Sequence, residues 1–368
     1  MQMQQKCKIK TEVILIGSGS TALLASNRLL HLGVPFVLIN PAINFSAGDL
    51  RLSHGLSLWN KAYRAQHTTS LSEVYESTYM KLHEVFPVAI NETALSRCEG
   101  WWILSNESHH RNKTLEYEKE FFKLEKKTWS LGKIQLASPE QVINLSKRNG
   151  LNLSHISKLD GAIVRKDCIS WDALKISLHL IQFAYHRLSN QSFIGCNILG
   201  RYGKQIIIKT KEEKEVQIES ERGIFIFLTG EILPYLKPLI LNCDDPWLQG
   251  VKKRRHEQHF LWTELLMPIE NSLPSFWIEL GNIRYFYKNN SILASWHSHK
   301  GPDNFEKVAI EATALANSKM VRTLREFYLE WEWKVPMWKK TNFDTYWATS
   351  FEGDLCNSLE ILWTLPQI

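Results

Sequence analysis

The stretch Val13-Ile14-Leu15-Ile16-Gly17-Ser18-Gly19-Ser20-Thr21-Ala22 decides how this chain reads. Its four leading apolar residues, stopped by glycine, suit a strand buried on both faces of a parallel sheet. A helical pattern follows, with Leu23, Leu24, Leu29, Leu30 and Leu32 among small and polar residues, and Gly33 is placed to end it at C′. A second apolar run, Phe36 to Ile39, stops at Asn40-Pro41. The unit is strand, glycine turn, helix, strand.

Each small residue in the turn has a physical task. Gly17 permits the tight turn, Gly19 lets the backbone approach a ligand closely, and Ala22 lets the helix pack near the strand. The helix N-terminus presents unpaired N–H groups and a partial positive charge. Together these predict a site for the diphosphate of a dinucleotide, contacted by Gly17, Gly19, Ser20 and Ala22. One position departs from the usual pattern. The second strand of such units commonly ends in Asp or Glu, which bonds the ribose hydroxyls, and here it ends in Asn40. Asn can still bond hydroxyls, without the strength of a charged partner. It also lacks the charge that repels a ribose phosphate.

Residues 13–40 resemble the N-terminus of the FAD-dependent amine and amino-acid oxidoreductases, the D-amino-acid oxidase/glycine oxidase group. Gly17, Gly19, Ala22, Leu29, Gly33, Val37 and position 40 match its spacing. Phe45-Ser46-Ala47-Gly48-Asp49-Leu50 is similar to the loop that wraps the phosphates there. The resemblance implies an α/β fold: an FAD-binding Rossmann-like domain of glutathione-reductase type, with an α+β substrate domain built on an antiparallel sheet. It implies FAD as cofactor, held by Gly17, Gly19, Ser20, Ala22, Asn40, Pro41, Ser46, Ala47, Gly48, Leu199, Thr229 and Gly230. Leu199 lies in the run Phe193 to Leu199, read as one strand after a helix ending near Leu188. Thr229-Gly230 closes the apolar strand starting at Gly223.

The remaining segments supply the expected substrate domain. Leu71 to Val85 is amphipathic and helical in pattern. Phe260–Met267, Phe276–Leu280, Arg284–Tyr287 and Ser291–Trp296 alternate and are rich in aromatics, as antiparallel strands are. The FAD domain is expected over 1–60, 140–235 and 300–368, and the substrate domain over 61–139 and 236–299. In amine-oxidising flavoenzymes the flavin does the chemistry and the protein positions the substrate. The candidate substrate-side residues are Arg284, Tyr285, Tyr287 and His297. Arg suits a carboxylate because its planar fork binds bidentately. His297 and His299 form a His-x-His pair with no third ligand at motif spacing, so no metal site is expected.

A second resemblance competes. Trp331-Glu332-Trp333-Lys334-Val335-Pro336 is similar to the W-x-W-x-I-P string of flavin-dependent halogenases, with Val for Ile, and Lys81 is the candidate for their catalytic lysine. The plain alternative is an amphipathic helix from Asn317 to about Trp331 running into an aromatic turn. In Tyr346 to Asp354, Phe351 stands where the oxidases commonly carry a carboxylate-binding Arg. A catalytically reduced nucleotide-binding relative is therefore a third reading.

Composition narrows the field. Lys and Arg number 44 against 38 Asp and Glu, a dispersed excess with one cluster at Lys252 to Arg255. No nucleic-acid motif accompanies it. The six cysteines are scattered, which fits free thiols in the cytoplasm. No apolar run reaches ~18–20 residues, so no membrane span is expected. The expected partner is a small molecule, an amine or amino acid.

Overall fold

The structure is a computed structural model describing residues 7–45, 71–86, 95–105, 134–148, 152–153, 156, 159–171, 173–228, 233–241, 255–265, 275–280, 283–288, 291–298, 310, 320–331, 338–349 and 362–363. In chain order the first elements are β1 (Cys7–Ile16), α1 (Ser20–His31), β2 (Phe36–Asn40), α2 (Leu71–Val85), β3 (Leu95–Ser105), β4 (Ile134–Ala137), α3 (Pro139–Arg148), β5 (Leu159–Trp171) and α4 (Ala173–Arg187). Then come β6 (Ser192–Ile194), β7 (Asn197–Tyr202), β8 (Gln205–Lys209), β9 (Glu215–Leu228), a 3-10 turn (Leu233–Leu236) and α5 (Lys237–Leu241). The last strands are β10 (Arg255–Leu265), β11 (Ser275–Leu280), β12 (Ile283–Lys288), β13 (Ser291–Ser298), β14 (Met320–Trp331), β15 (Trp338–Thr341) and β16 (Thr345–Thr349).

The first sheet has β1 at its centre. β2 and β9 flank β1 in parallel, β6 lies beyond β2, and β16 lies beyond β9. The parallel order β6-β2-β1-β9-β16 reverses direction at β1. Ligands of open α/β sheets bind outside the carboxyl ends of strands at such a reversal. Val13 to Ile16 are all fully buried, as the unbroken apolar run requires. β7, β8 and the first half of β9 form an antiparallel meander whose Ile198, Ile206, Ile208, Val216 and Ile218 join Ile14, Ile16, Val37, Ile39, Ile224 and Ile226 in one core.

α1 packs on α4 and α2 as well as on β1 and β2. Its Ala22, Leu23, Leu24, Ala25 and Leu29 are buried. Gly33, at φ 68, ends the helix. Gly33 N–H bonds Leu30 O at 3.1 Å and Val34 N–H bonds Leu29 O at 3.0 Å, the paired bonds of a Schellman stop. In α4 the buried Ile176, Leu180 and Ala184 recur at every fourth residue and Leu188 continues the row. Arg28 ties this layer to the C-terminal segment. Its Nη1 donates to Leu362 O at 2.7 Å and its guanidinium lies 3.9 Å from the centre of the Trp363 ring.

The second sheet runs β14-β10-β13-β12-β11-β3-β5-β4, antiparallel except for the β3–β11 pair. The helix expected over Leu71 to Val85 is present. Three expectations change. Residues 320–331 form strand β14, not a helix, because β10 pairs with them along its length. The run 193–199 is two strands broken at Gly195, whose φ of 65 turns the chain. β5 and β14 belong to the second sheet, although the expected boundaries grouped residues 159–171 and 320–331 with the nucleotide domain.

β16, between β9 and the edge strand β15, adds Tyr346 and Trp347 to the first sheet, 2 % and 1 % exposed. Tyr346 stacks on Phe225 at 4.7 Å, and Trp347 Nε1 donates to Thr341 Oγ1 at 3.1 Å. Trp347→Ala should cost about 3–5 kcal/mol through the cavity it leaves. Urea unfolding measures this, and a loss below about 1 kcal/mol would show that the side chain lies outside the core.

Candidate nucleotide and substrate site

The glycine turn lies at the strand-to-helix junction, directly after β1. Gly17 N–H bonds Ile39 O at 3.0 Å, which locks the turn to the end of β2. A Cβ on Gly17 would stand 2.8 Å from Ala22 Cβ and 3.3 Å from Phe227 Cβ. Glycine is thus required where α1, β1 and β9 meet, and a small residue is required at position 22. The N-cap of α1 is Gly19, with no side-chain cap and no acidic residue in the first turn. The positive end of the helix therefore has no anion of its own nearby in sequence.

The Ser18 hydroxyl adds to this. Ser18 is 0 % exposed and its Oγ has no hydrogen-bond partner. A buried unpaired hydroxyl costs about 1–3 kcal/mol, which an anionic acceptor in the loop would offset. The uncapped helix end, the glycine at the close approach and the unpartnered hydroxyl together fit a diphosphate. Ser20 and Thr21 are also buried, at 1 % each.

Asn40 stands at the end of β2, fully buried. Its Oδ1 accepts from Ala42 N–H at 2.9 Å and its Nδ2 donates to Asn44 O at 3.1 Å. Both halves of the amide hold the 40–44 loop, so neither is directed to a ribose. The main-chain O of Asn40 accepts from Gly195 N–H at 2.8 Å, which joins this loop to the end of β6. Cys196 lies beneath, its Sγ 3.9 Å from Asn40 O, and burial pushes its thiol up to about 11. Pro41 is buried beside Asn40, and Leu199 is exposed on β7. Ser46, Ala47, Gly48, Thr229 and Gly230 lie outside the described residues, as do His299 and residues 332–336 of the W-x-W string. Lys81, on α2, lies 5.7 Å from the ring of Trp363.

The substrate-side candidates lie on β12 and β13. Registers across the sheet assign each to a face, because directly paired residues share one. Tyr285 and Tyr287 pair with Ile278 and Phe276, which pair with Ile103 and Trp101, which pair with Ala162 and Val164. Trp101, Ile103, Ala162 and Val164 are all buried, and the register places the tyrosines on the same face of the sheet as these four. Arg284 pairs with Ser295, two residues from His297, and this places both candidates on the opposite face. His297 pairs with Gln258, which pairs with Tyr328. A ligand against one face meets Arg284 and His297 or the tyrosines, not all four. Gln258 and Tyr328 escaped sequence reasoning because only the pairing of β10 with β13 and β14 brings them beside His297. Among the described residues no group of three or more His, Cys, Asp or Glu could hold a metal ion.

No protein-family model and no curated protein sequence matches the chain. Solved structures do match in fold. The glycine oxidase of Geobacillus kaustophilus is 11% identical with a TM-score of 0.67, over 96% of this chain and 93% of that one. The L-proline dehydrogenase of P. horikoshii is 13% identical with a TM-score of 0.66, over 96% and 91%. The L-α-glycerophosphate oxidase of Mycoplasma pneumoniae, solved with FAD bound, is 11% identical with a TM-score of 0.63, over 96% and 92%. The chain therefore has the fold of these proteins over nearly its whole length, and the resemblance seen in residues 13–40 extends to the full architecture.

Two outcomes follow from the loop geometry. Gly17→Val should abolish nucleotide binding and lower stability by about 1–3 kcal/mol through overpacking against Ala22 and Phe227; unchanged unfolding and binding curves would refute the close approach. Under native conditions at mildly alkaline pH, iodoacetamide followed by mass spectrometry should modify the exposed Cys7 and spare the buried Cys196. Equal labelling of the two would contradict the buried position of Cys196.

Proposed function

We propose that the chain is an FAD-dependent oxidoreductase acting on a C–N bond of an amine or amino acid. The observation that carries this reading is the turn after β1. An uncapped helix, a required glycine and a buried unpartnered Ser18 hydroxyl converge there at the reversal of the strand order. The glycine oxidase, L-proline dehydrogenase and FAD-containing glycerophosphate oxidase structures of the same fold support it.

In this reading Gly17 and Gly19 let the main chain approach the diphosphate. The N-terminus of α1 supplies partial positive charge, and the Ser18 hydroxyl donates to a phosphate oxygen. Ala22 keeps α1 close enough to β1 and β9 to hold that geometry. The bound flavin supplies the acceptor for a hydride from the substrate carbon. Arg284 and His297 serve the substrate side. Arg284 holds a carboxylate through its fork, and Gln258 and Tyr328 complete the polar positions on that sheet face. Tyr285 and Tyr287 lie on the other face of the sheet. The described residues contain no helix long and apolar enough to cross a membrane.

The purified protein should be yellow, with absorbance near ~450 nm. That absorbance should bleach without oxygen when an accepted amine or amino acid is added. A colourless protein that also refuses added FAD would rule the flavin reading out. Arg284→Ala should raise KM for substrates bearing a carboxylate by about tenfold or more, a charge-assisted contact being worth about 1.5–3 kcal/mol. A larger effect of Tyr285→Phe than of Arg284→Ala would reverse the assignment of faces.

A further inference from the structure

At the adenosine end of the proposed site, the position that commonly carries a carboxylate offers no free group. Asn40 is fully buried and its amide is used at both ends by Ala42 N–H and Asn44 O. A ribose placed at the end of β2 must therefore be held by something else. A charged side chain that the described residues bring to this loop is Lys211, from the turn between β8 and β9.

Lys211 lies across Gly195. A Cβ on Gly195 would collide with the Lys211 side chain and stand 3.1 Å from its Nζ. Gly195 N–H bonds Asn40 O at 2.8 Å and Ala42 O at 3.0 Å, so the ammonium sits beside the same loop that ends β2. The glycine at 195 serves two needs, its left-handed φ of 65 and the passage of this lysine. The carboxylates of the same turn are engaged elsewhere: Glu213 pairs with Lys209, and Glu212 with Lys214. Among the described residues Lys211 has no ion-pair partner. A neutral amide committed to its own loop plus an uncommitted cation reverses the local charge expected where a ribose is read by a carboxylate.

We propose that Lys211 makes the contact with the adenosine ribose and that the site accepts an adenine nucleotide carrying an additional phosphate on that ribose. The proposal rests on the nucleotide reading of the β1 turn and concerns its selectivity. A carboxylate at the end of β2 would repel such a phosphate, whereas an ammonium beside the adjoining loop attracts it.

The test is a displacement titration on the full chain. FAD is added and its binding followed by flavin fluorescence. It is then displaced by 5′-AMP or by adenosine 2′,5′-bisphosphate, for the native protein and for Lys211→Glu and Lys211→Arg. Lys211 is exposed, so both substitutions should leave the fold intact, which far-UV circular dichroism checks. The native protein should release FAD to the bisphosphate at a concentration no higher than to 5′-AMP. Lys211→Glu should weaken the bisphosphate by about tenfold and 5′-AMP by less than about threefold, the scale of one partly screened charge contact. Lys211→Arg should restore the native ratio. A native preference for 5′-AMP by about tenfold or more, or equal weakening of both nucleotides in Lys211→Glu, would overturn the proposal. Failure of FAD to bind while both nucleotides bind directly, measured by calorimetry, would sink the flavin reading and leave the role of Lys211 to the ratio of their affinities. Binding of none of the three overturns both.

Discussion

Everything in this chain depends on how closely α1 can approach β1 and β9. Gly17, Ala22 and Phe227 meet at a point where a Cβ on Gly17 would stand only 2.8 Å from Ala22 Cβ. That contact sets the start of the helix against the carboxyl end of the central strand. It does so where the strand order reverses, so the positive helix end and the open edge of the sheet coincide. Larger side chains at 17 or 22 would move the helix away and separate the two features. Burial then fixes the arrangement: Ile14 and Ile16 face the meander core, and Leu23, Leu24 and Leu29 are buried in α1.

The same constraint explains why the loop at the end of β2 is built from its own atoms. The short strand must stop and turn within five residues of its start, and the Asn40 amide bonds both Ala42 N–H and Asn44 O to make that turn. Once the amide is used for this, reading of the ribose passes to a neighbouring element. The turn after β8 supplies it, because β6, β7 and β8 bring Gly195 and Lys211 to the same edge. Structural and recognition tasks, which one carboxylate often combines, are separated onto Asn40 and Lys211.

The sequence was most legible where local chemistry and global fold agree. Val13 to Asn40 reads correctly as strand, turn, helix and strand because periodicity, glycine placement and the C′ stop at Gly33 all give the same answer. Leu71 to Val85 reads as a helix from its amphipathic pattern alone. Residues 320–331 misled because Leu324, Phe327, Tyr328 and Trp331 recur near helical spacing; pairing with β10, remote in sequence, makes the segment a strand. The break at Gly195 was hidden inside one apolar run. The substrate side was legible only in part. Sequence indicated Arg284, Tyr285, Tyr287 and His297, but only the registers through β3, β11, β12 and β13 divide them between two faces. Gln258 and Tyr328 carry no motif and become neighbours of His297 through pairing alone.

The central claim is that main-chain groups after β1, with Ser18, hold a diphosphate. Isothermal titration of the full chain with FAD and, separately, with riboflavin tests it most directly, since the two share the flavin ring and differ in the diphosphate and adenosine. The account predicts saturable binding of FAD at least about a hundredfold tighter than riboflavin, the two to three kcal/mol that charge-assisted phosphate contacts supply. Equal affinities, or heat from riboflavin alone, would contradict it.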